Sequence, residues 1–224
     1  MWVITTPIPI FPLSLVLLPG ADVPLHIFEP RYRAMIRDVN GTSRRFGLIA
    51  PPASTAEADL PTGRVGCIAR ITGVEAMDDG RLNITVVGAE RFRFDTYVDG
   101  GTAYRMAHVV PYDDLPAADD VLAAAEARVR DVATRAMRAS MTVHDAKADL
   151  PELDADPRTL SFQVAQMLRV SNEVLYDLLA DRNPLSRLER VEAMIREGLG
   201  PIEGAAELHV RAKTNGHHHG PPPD

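Results

Sequence analysis

The chain has 224 residues, of which 46% are hydrophobic and 25% charged, with a formal net charge of −7. These values fit one large or two modest globular domains, and the acidic balance disfavours a protein devoted to non-specific contact with nucleic-acid phosphates. The longest apolar run, residues 13–18, is broken by Ser14 and bracketed by Pro12 and Pro19, far short of the roughly 20 residues that span a bilayer.

No lysine or arginine precedes Arg31, so the basic segment that opens a secretory signal is missing and a cytoplasmic location is expected. A single cysteine, Cys67, permits neither an internal disulfide nor a cysteine-rich zinc site. Only Lys147 and Lys213 are lysines among the 24 basic residues, a bias best explained by genomic base composition.

From the N-terminus to about residue 112 the pattern is strand-like. Residues 10–18 read as a buried strand running into a proline-punctuated turn, followed by a short second strand through Leu25 and Ile27. A helix then opens on Pro30, whose missing N–H costs little in a first turn. Residues 45–50 form a short apolar run stopped by Pro51 and Pro52. Residues 51–63 carry no apolar period and are expected to be a mobile surface loop. Val65, Cys67, Ala69 and Ile71 alternate along a strand. The turn Asp78-Asp79-Gly80 leads into Leu82, Ile84 and Val86, completing a hairpin. A further turn is expected at Gly88-Ala89-Glu90, before the alternating pair Phe92 and Phe94, and a last strand over residues 103–110.

Beyond residue 115 the period becomes helical. Asp119 and Asp120 open a helix at the end where acidic side chains suit the dipole, and Leu122, Ala125, Val129, Val132 and Ala136 form its stripe. Residues 142–155 are polar and looped. Asp156-Pro157, Ser171 and Asn183-Pro184 are cap signals for three more helices, the last ending near Gly198. Their short connections suggest a compact bundle. The expected divisions are a β-domain over 1–115, a helical bundle over 116–200 and a disordered tail over 201–224.

Four segments in this order resemble one family: residues 10–20, residues 24–33, the strand from Val65 to Ile71, and the hairpin from Asp79 to Phe92. Together they are similar to the N-terminal substrate-binding domain of Lon proteases, and residues 157–199 are similar to the helical part of its stand-alone bacterial members. The resemblance implies an α+β protein, a PUA-like β-pseudobarrel followed by a C-terminal α-helical bundle, which recognises unfolded polypeptide or a protein partner. RNA binding, known in other PUA-like folds, is the alternative.

Lon's own catalytic parts are not expected here. No Gly-x-x-x-x-Gly-Lys-Ser/Thr loop occurs in the 224 residues, so no segment can cradle a triphosphate, and the chain stops about where an ATPase would begin. A serine–lysine peptidase needs a positioned lysine, whereas Lys147 and Lys213 fall in a polar loop and the expected tail. The expectation is a non-catalytic binding module with no cofactor and no metal.

The candidate polypeptide-binding residues are Tyr32, Arg44, Arg45, Arg91 and Arg93, since neighbouring guanidinium groups can recognise carboxylates or extended backbone. Solvated strand faces account for the same arginines, and Tyr32 shares a helix face with Ile36, which suits the core. His26 and Glu29 are near enough in sequence for proton transfer. Their framework reading is stronger, His26 satisfying a backbone carbonyl in its strand and Glu29 capping the helix. Cys67 reads as an inert buried thiol, and His217–His219, which could chelate a transition metal only as a weak, open site, reads more readily as a short native repeat or an added remnant.

Overall fold

The computed structural model describes residues 7–99, 101–153, 156–168 and 170–215. In chain order the elements are β1 (Ile8–Pro12), β2 (Asp22–Ile27), α1 (Pro30–Asn40), β3 (Arg45–Ile49), β4 (Val65–Ala76), β5 (Leu82–Val98), β6 (Arg105–Pro111), α2 (Asp119–Val143), α3 (Pro157–Met167), α4 (Asn172–Ala180) and α5 (Pro184–Asn215). They fall into two compact units. One holds the chain up to Pro116 together with Ala165–Asn183, and the other holds Ala117–Val164 and the chain from Pro184 onward.

In the first unit the strand order is β2-β5-β4-β3-β1-β6, with β6 pairing again to β5. That extra pairing closes β5, β4, β3, β1 and β6 into a five-stranded barrel and leaves β2 outside it as an edge strand. β1 and β3 run parallel with Ile10 opposite Gly47, and the other pairings are antiparallel. Ile10, Ile49, Leu60, Ile68, Phe92, Phe94, Ala107 and Val109 form one buried cluster of this unit. Residues 65–69 of β4 are buried without alternation, because both faces of that stretch are covered, and alternation returns only beyond Ala69.

The turn expected at Gly88-Ala89-Glu90 is absent. β5 continues through it as one 17-residue strand, its register against β4 shifting between Cys67 and Ala69. The strand exchanges partners there, from β2 up to Val87 to β6 from Phe92. Gly88 is required at the exchange because residues 18–21 pass directly against it. Its N–H donates to the Ala21 carbonyl at 2.9 Å, its carbonyl accepts from Gly20 at 2.8 Å, and a Cβ there meets the Leu18 backbone. The Asp79-Gly80 turn is as expected, with Gly80 at φ 78°.

Residues 51–63 are pinned where the sequence suggested mobility. A 3-10 turn spans Glu57–Asp59, the Tyr97 hydroxyl donates to the Glu57 carbonyl at 2.7 Å, and Thr62 donates to the Asp95 carbonyl at 2.7 Å. Leu60 anchors the segment in the apolar cluster.

α4, expected as part of a helical bundle, packs with the barrel. The Tyr176 hydroxyl accepts from the Val65 N–H at 3.3 Å, and Asn172 Nδ2 donates to the Ser14 carbonyl at 3.2 Å. At its C-terminal end, Tyr112 donates to the Ala180 carbonyl at 2.9 Å. Ser171 caps the helix as expected, accepting from Val174 N–H. Short loops predict that helices are neighbours in sequence, but these side-chain bonds to barrel backbone decide where α4 is buried.

In the second unit α2 and α5 run in the same direction, since Arg128 pairs with Glu192 and Arg135 with Glu203. Leu122, Ala125, Val129, Val132, Ala133 and Ala139 of α2 are buried, as are Leu188, Val191, Ile195, Leu199 and Ala206 of α5. Asp156 caps α3 by accepting from Arg158 N–H at 2.9 Å. Arg187 is fully buried, with Nε donating to Ser161 Oγ at 3.1 Å and its guanidinium 4.4 Å from the Phe162 ring centre.

α5 does not stop near Gly198. It runs through Gly200 and Pro201 to Asn215, so the expected tail is helical over 201–215. Asp145 holds its far end, accepting from Lys213 and lying 3.0 Å from His209 Nε2. Lys213 is therefore a helical ion-pair partner and not a tail residue. His217–His219 lie outside the described residues.

Candidate binding groove

A groove of about 460 Å³ runs beside β2. One wall is the unbroken stretch Pro24, Leu25, His26, Ile27, Phe28 and Glu29, the other Phe11, Pro12, Leu13 and Ser14, and Pro51, Thr55 and Glu57 close one end. A groove crossing a sheet face is lined by every second residue of a strand, whereas consecutive residues on both walls mean that it follows the main chain. Among the described residues β2 pairs only with β5, which leaves its second edge without a strand. Pro24 fits that position because a proline has no N–H to give a ladder.

A second depression of about 500 Å³ is lined by Val16, residues 50–55, Arg64, and Asn172, Glu173, Tyr176 and Asp177 on or beside α4. It shares Ser14, Pro51 and Thr55 with the first, so the two adjoin. Arg64 crosses it with Nε donating to the Ala50 carbonyl at 2.7 Å and its guanidinium 3.4 Å from the Tyr176 ring centre.

Phe28 stands at the mouth of the first groove with 60% of its surface exposed. His26 lies beside it, ring centres 6.2 Å apart, and is itself exposed, with Nδ1 2.8 Å from Asn83 Oδ1. The expected bond from His26 to a backbone carbonyl is thus replaced by a side-chain contact on the neighbouring strand. Glu29 occupies the N-cap position of α1 without capping it. Its carboxylate accepts instead from Arg31 Nε at 2.9 Å, while Glu57 takes the same guanidinium in a fork at 2.7 and 3.1 Å. Burial acts to lower the Arg31 pKa, but the two carboxylates outweigh it and hold the group charged well beyond its ordinary range.

Tyr32 lies under this cluster. It is buried, its ring 4.0 Å from that of Phe11, and its hydroxyl donates to Glu57 Oε1 at 3.3 Å. Burial, then the charge of Glu57, raises its pKa, so it stays a neutral donor.

The remaining arginines do not converge on the groove. Arg91 is buried: Nη1 donates to the Leu179 and Asp181 carbonyls at 2.7 and 2.8 Å and Nη2 to Asp114. It is a structural post of the first unit. Arg45 pairs with Glu90, and Arg44 is exposed with φ 54°. Arg45 stands opposite Arg70 and Arg93 opposite Val65. Those positions are five steps apart along β4, about 17 Å.

Sequence reasoning missed the groove itself. Its one outward sign was Phe28, a large apolar residue between an exposed-parity histidine and an acidic cap position. Cys67 is fully buried, and burial pushes its thiol up to about 12, so it has no nucleophilic use. Among the described residues no group of three or more His, Cys, Asp or Glu is arranged to hold a metal ion, and no helix is long and apolar enough to cross a membrane.

A closed mixed barrel with an extra edge strand and a helix bonded to its wall defines an α+β module in which one groove runs along backbone. The same architecture occurs in the crystal structure of a Lon N-terminal domain protein from Xanthomonas campestris, with 26% identity and a TM-score of 0.58 over 84% of this chain and 98% of that one. It occurs again in the N-terminal domain of a Mycobacterium avium complex Lon protease, with 20% identity and a TM-score of 0.60 over 85% and 98% of the two chains. The chain belongs to the family of the ATP-dependent protease La (LON) substrate-binding domain, whose model matches residues 7–197. A curated Lon protease from Desulfosudis oleivorans is 22% identical over 212 residues, which cover 93% of this chain but 26% of that protein. The chain thus spans about a quarter of that relative's length.

Proposed function

We propose that this protein is a non-catalytic recognition module that holds an extended segment of unfolded or partner polypeptide in the groove beside β2. The observation that carries the reading is the groove's two walls of consecutive residues, one of them an edge strand. An extended chain laid there meets main-chain groups in a sequence-tolerant way, and Phe28 and Leu25 supply apolar contact. The family membership agrees with this reading, because the domain is named for substrate binding in Lon.

The test is fluorescence anisotropy with a labelled, permanently unfolded polypeptide such as reduced, carboxymethylated lactalbumin. Saturable binding is expected, weakened roughly tenfold by Phe28→Ser, the loss of one well-packed apolar contact. Equal affinity of Phe28→Ser and the parent chain overturns the groove as the site.

A further inference from the structure

We infer that the bound segment joins the sheet as an added strand on β2, anchored by the main chain of His26 and gapped at Pro24, a pairing that rests on the polypeptide-binding reading above. Its register follows from hydrogen bonds inside the sheet. The Gly88 N–H donates to the Ala21 carbonyl while Asp22 stands opposite Val87, which makes Asp22 and Val87 a non-hydrogen-bonded pair of the antiparallel ladder. The pairing then continues without a shift to Ile27 opposite Leu82. Val23, Leu25 and Ile27 therefore turn their main-chain groups toward β5, and Asp22, Pro24 and His26 turn theirs toward the free edge. Among the described residues nothing bonds to the His26 main chain or to the Pro24 carbonyl.

Within the groove, which takes in residues 24–29, this edge offers two acceptors, the Pro24 and His26 carbonyls, and one donor, the His26 N–H. A pairing chain must supply two N–H groups, from residues two apart, and one carbonyl, whichever direction it runs. Proline at either of those two positions loses a bond. Pro24 withholds the second donor, a device that blunts an edge against indiscriminate pairing. The occupant is a lone unfolded chain and not a second copy. Residues 11–14 face this edge across the groove, so a strand belonging to a folded sheet would bring its neighbours against that wall.

The experiment uses a short labelled peptide in which leucine alternates with serine, N-methylated either at every leucine or at every serine. One series should bind roughly tenfold more weakly than the unmethylated peptide, through the loss of two main-chain bonds, and the other within about threefold of it. Which series it is reports the direction of the added strand. Pro24→Ala adds an outward N–H without touching the ladder to β5, and should tighten the unmethylated peptide roughly two- to tenfold. Equal sensitivity of the two series, or a Pro24→Ala affinity equal to the parent's, overturns strand addition; the groove reading then stands alone if Phe28→Ser still weakens the peptide. If the unmethylated peptide does not bind, or Phe28→Ser leaves its affinity unchanged, both fall.

Discussion

Replacing Arg91 with methionine is the sharpest test of how the first unit is held together. The side chain is 5% exposed and its guanidinium donates to the Leu179 and Asp181 carbonyls and to Asp114, whose own side chain is 16% exposed. Methionine retains the stem's volume but removes these bonds, so Asp114 and the two backbone carbonyls lose the donor that offsets their burial. Breaking a buried pair from one side costs about 3–5 kcal/mol, because the partner's desolvation is no longer offset. With a urea slope of about 2 kcal/mol per molar, the midpoint should fall by roughly 1.5–2.5 M. Arg91→Lys should recover only part of this, since an ammonium cannot span three acceptors that a planar fork reaches together. Arg45→Gln is the control, because its pair with Glu90 is more than a third exposed on both sides, and such pairs contribute less than about 1 kcal/mol. Urea unfolding followed by circular dichroism measures all three. An Arg91→Met midpoint within about 0.5 M of the parent chain, equivalent to about 1 kcal/mol, refutes the reasoning.

Gly88→Ala forces a methyl group against the Leu18 backbone and should cost about 1–3 kcal/mol in thermal or urea melts; Gly41→Ala, which meets nothing within 4 Å, should stay within about 0.5 kcal/mol. Cys67 gives an alkaline signature. Its thiol ionises near 9 when unfolded and only at about 12 when buried, so the folded state holds a proton that the unfolded state releases, and stability falls as pH rises between those values. Cys67→Ala should flatten that fall by up to about 1.4 kcal/mol per pH unit in urea titrations. Glu192 gives an acid signature in the second unit. Burial raises its pKa, but hydrogen bonds from Arg196 and Arg128 outweigh it and hold the carboxyl below its ordinary 4.5, so its contribution is present above that value and lost as pH falls through the lower folded pKa. Glu192→Gln should lower stability at neutral pH and remove that part of the acid loss, and a parent chain whose acid melt matches the variant's contradicts the assignment.

Local signals carried most of the elements. Alternation in Leu82, Ile84 and Val86, proline at the first position of α1, and the caps at Asp156 and Ser171 were legible because each depends on neighbours within a few residues. Barrel closure was legible only through the family resemblance, because the β6 pairings to β1 and β5 join residues far apart in sequence, and no period of two encodes which strands meet. Gly88 looked like a turn for a related reason, since the segment it makes room for lies 70 residues earlier at Leu18. Arg91 read as a solvated strand residue because its parity points out of the barrel, where the C-terminal end of α4 covers it. The groove escaped notice because its walls are consecutive backbone positions, and a site made of main chain leaves little trace in side-chain chemistry.

Amide hydrogen exchange with and without a bound unfolded polypeptide tests the central claim most directly. The account predicts slowed exchange at residues 25–29 on the β2 wall and at 13–14 on the facing wall, with the barrel interior unchanged. Protection confined to the strand surface carrying Arg44, Arg45 and Arg93, with the β2 edge unaffected, would contradict it.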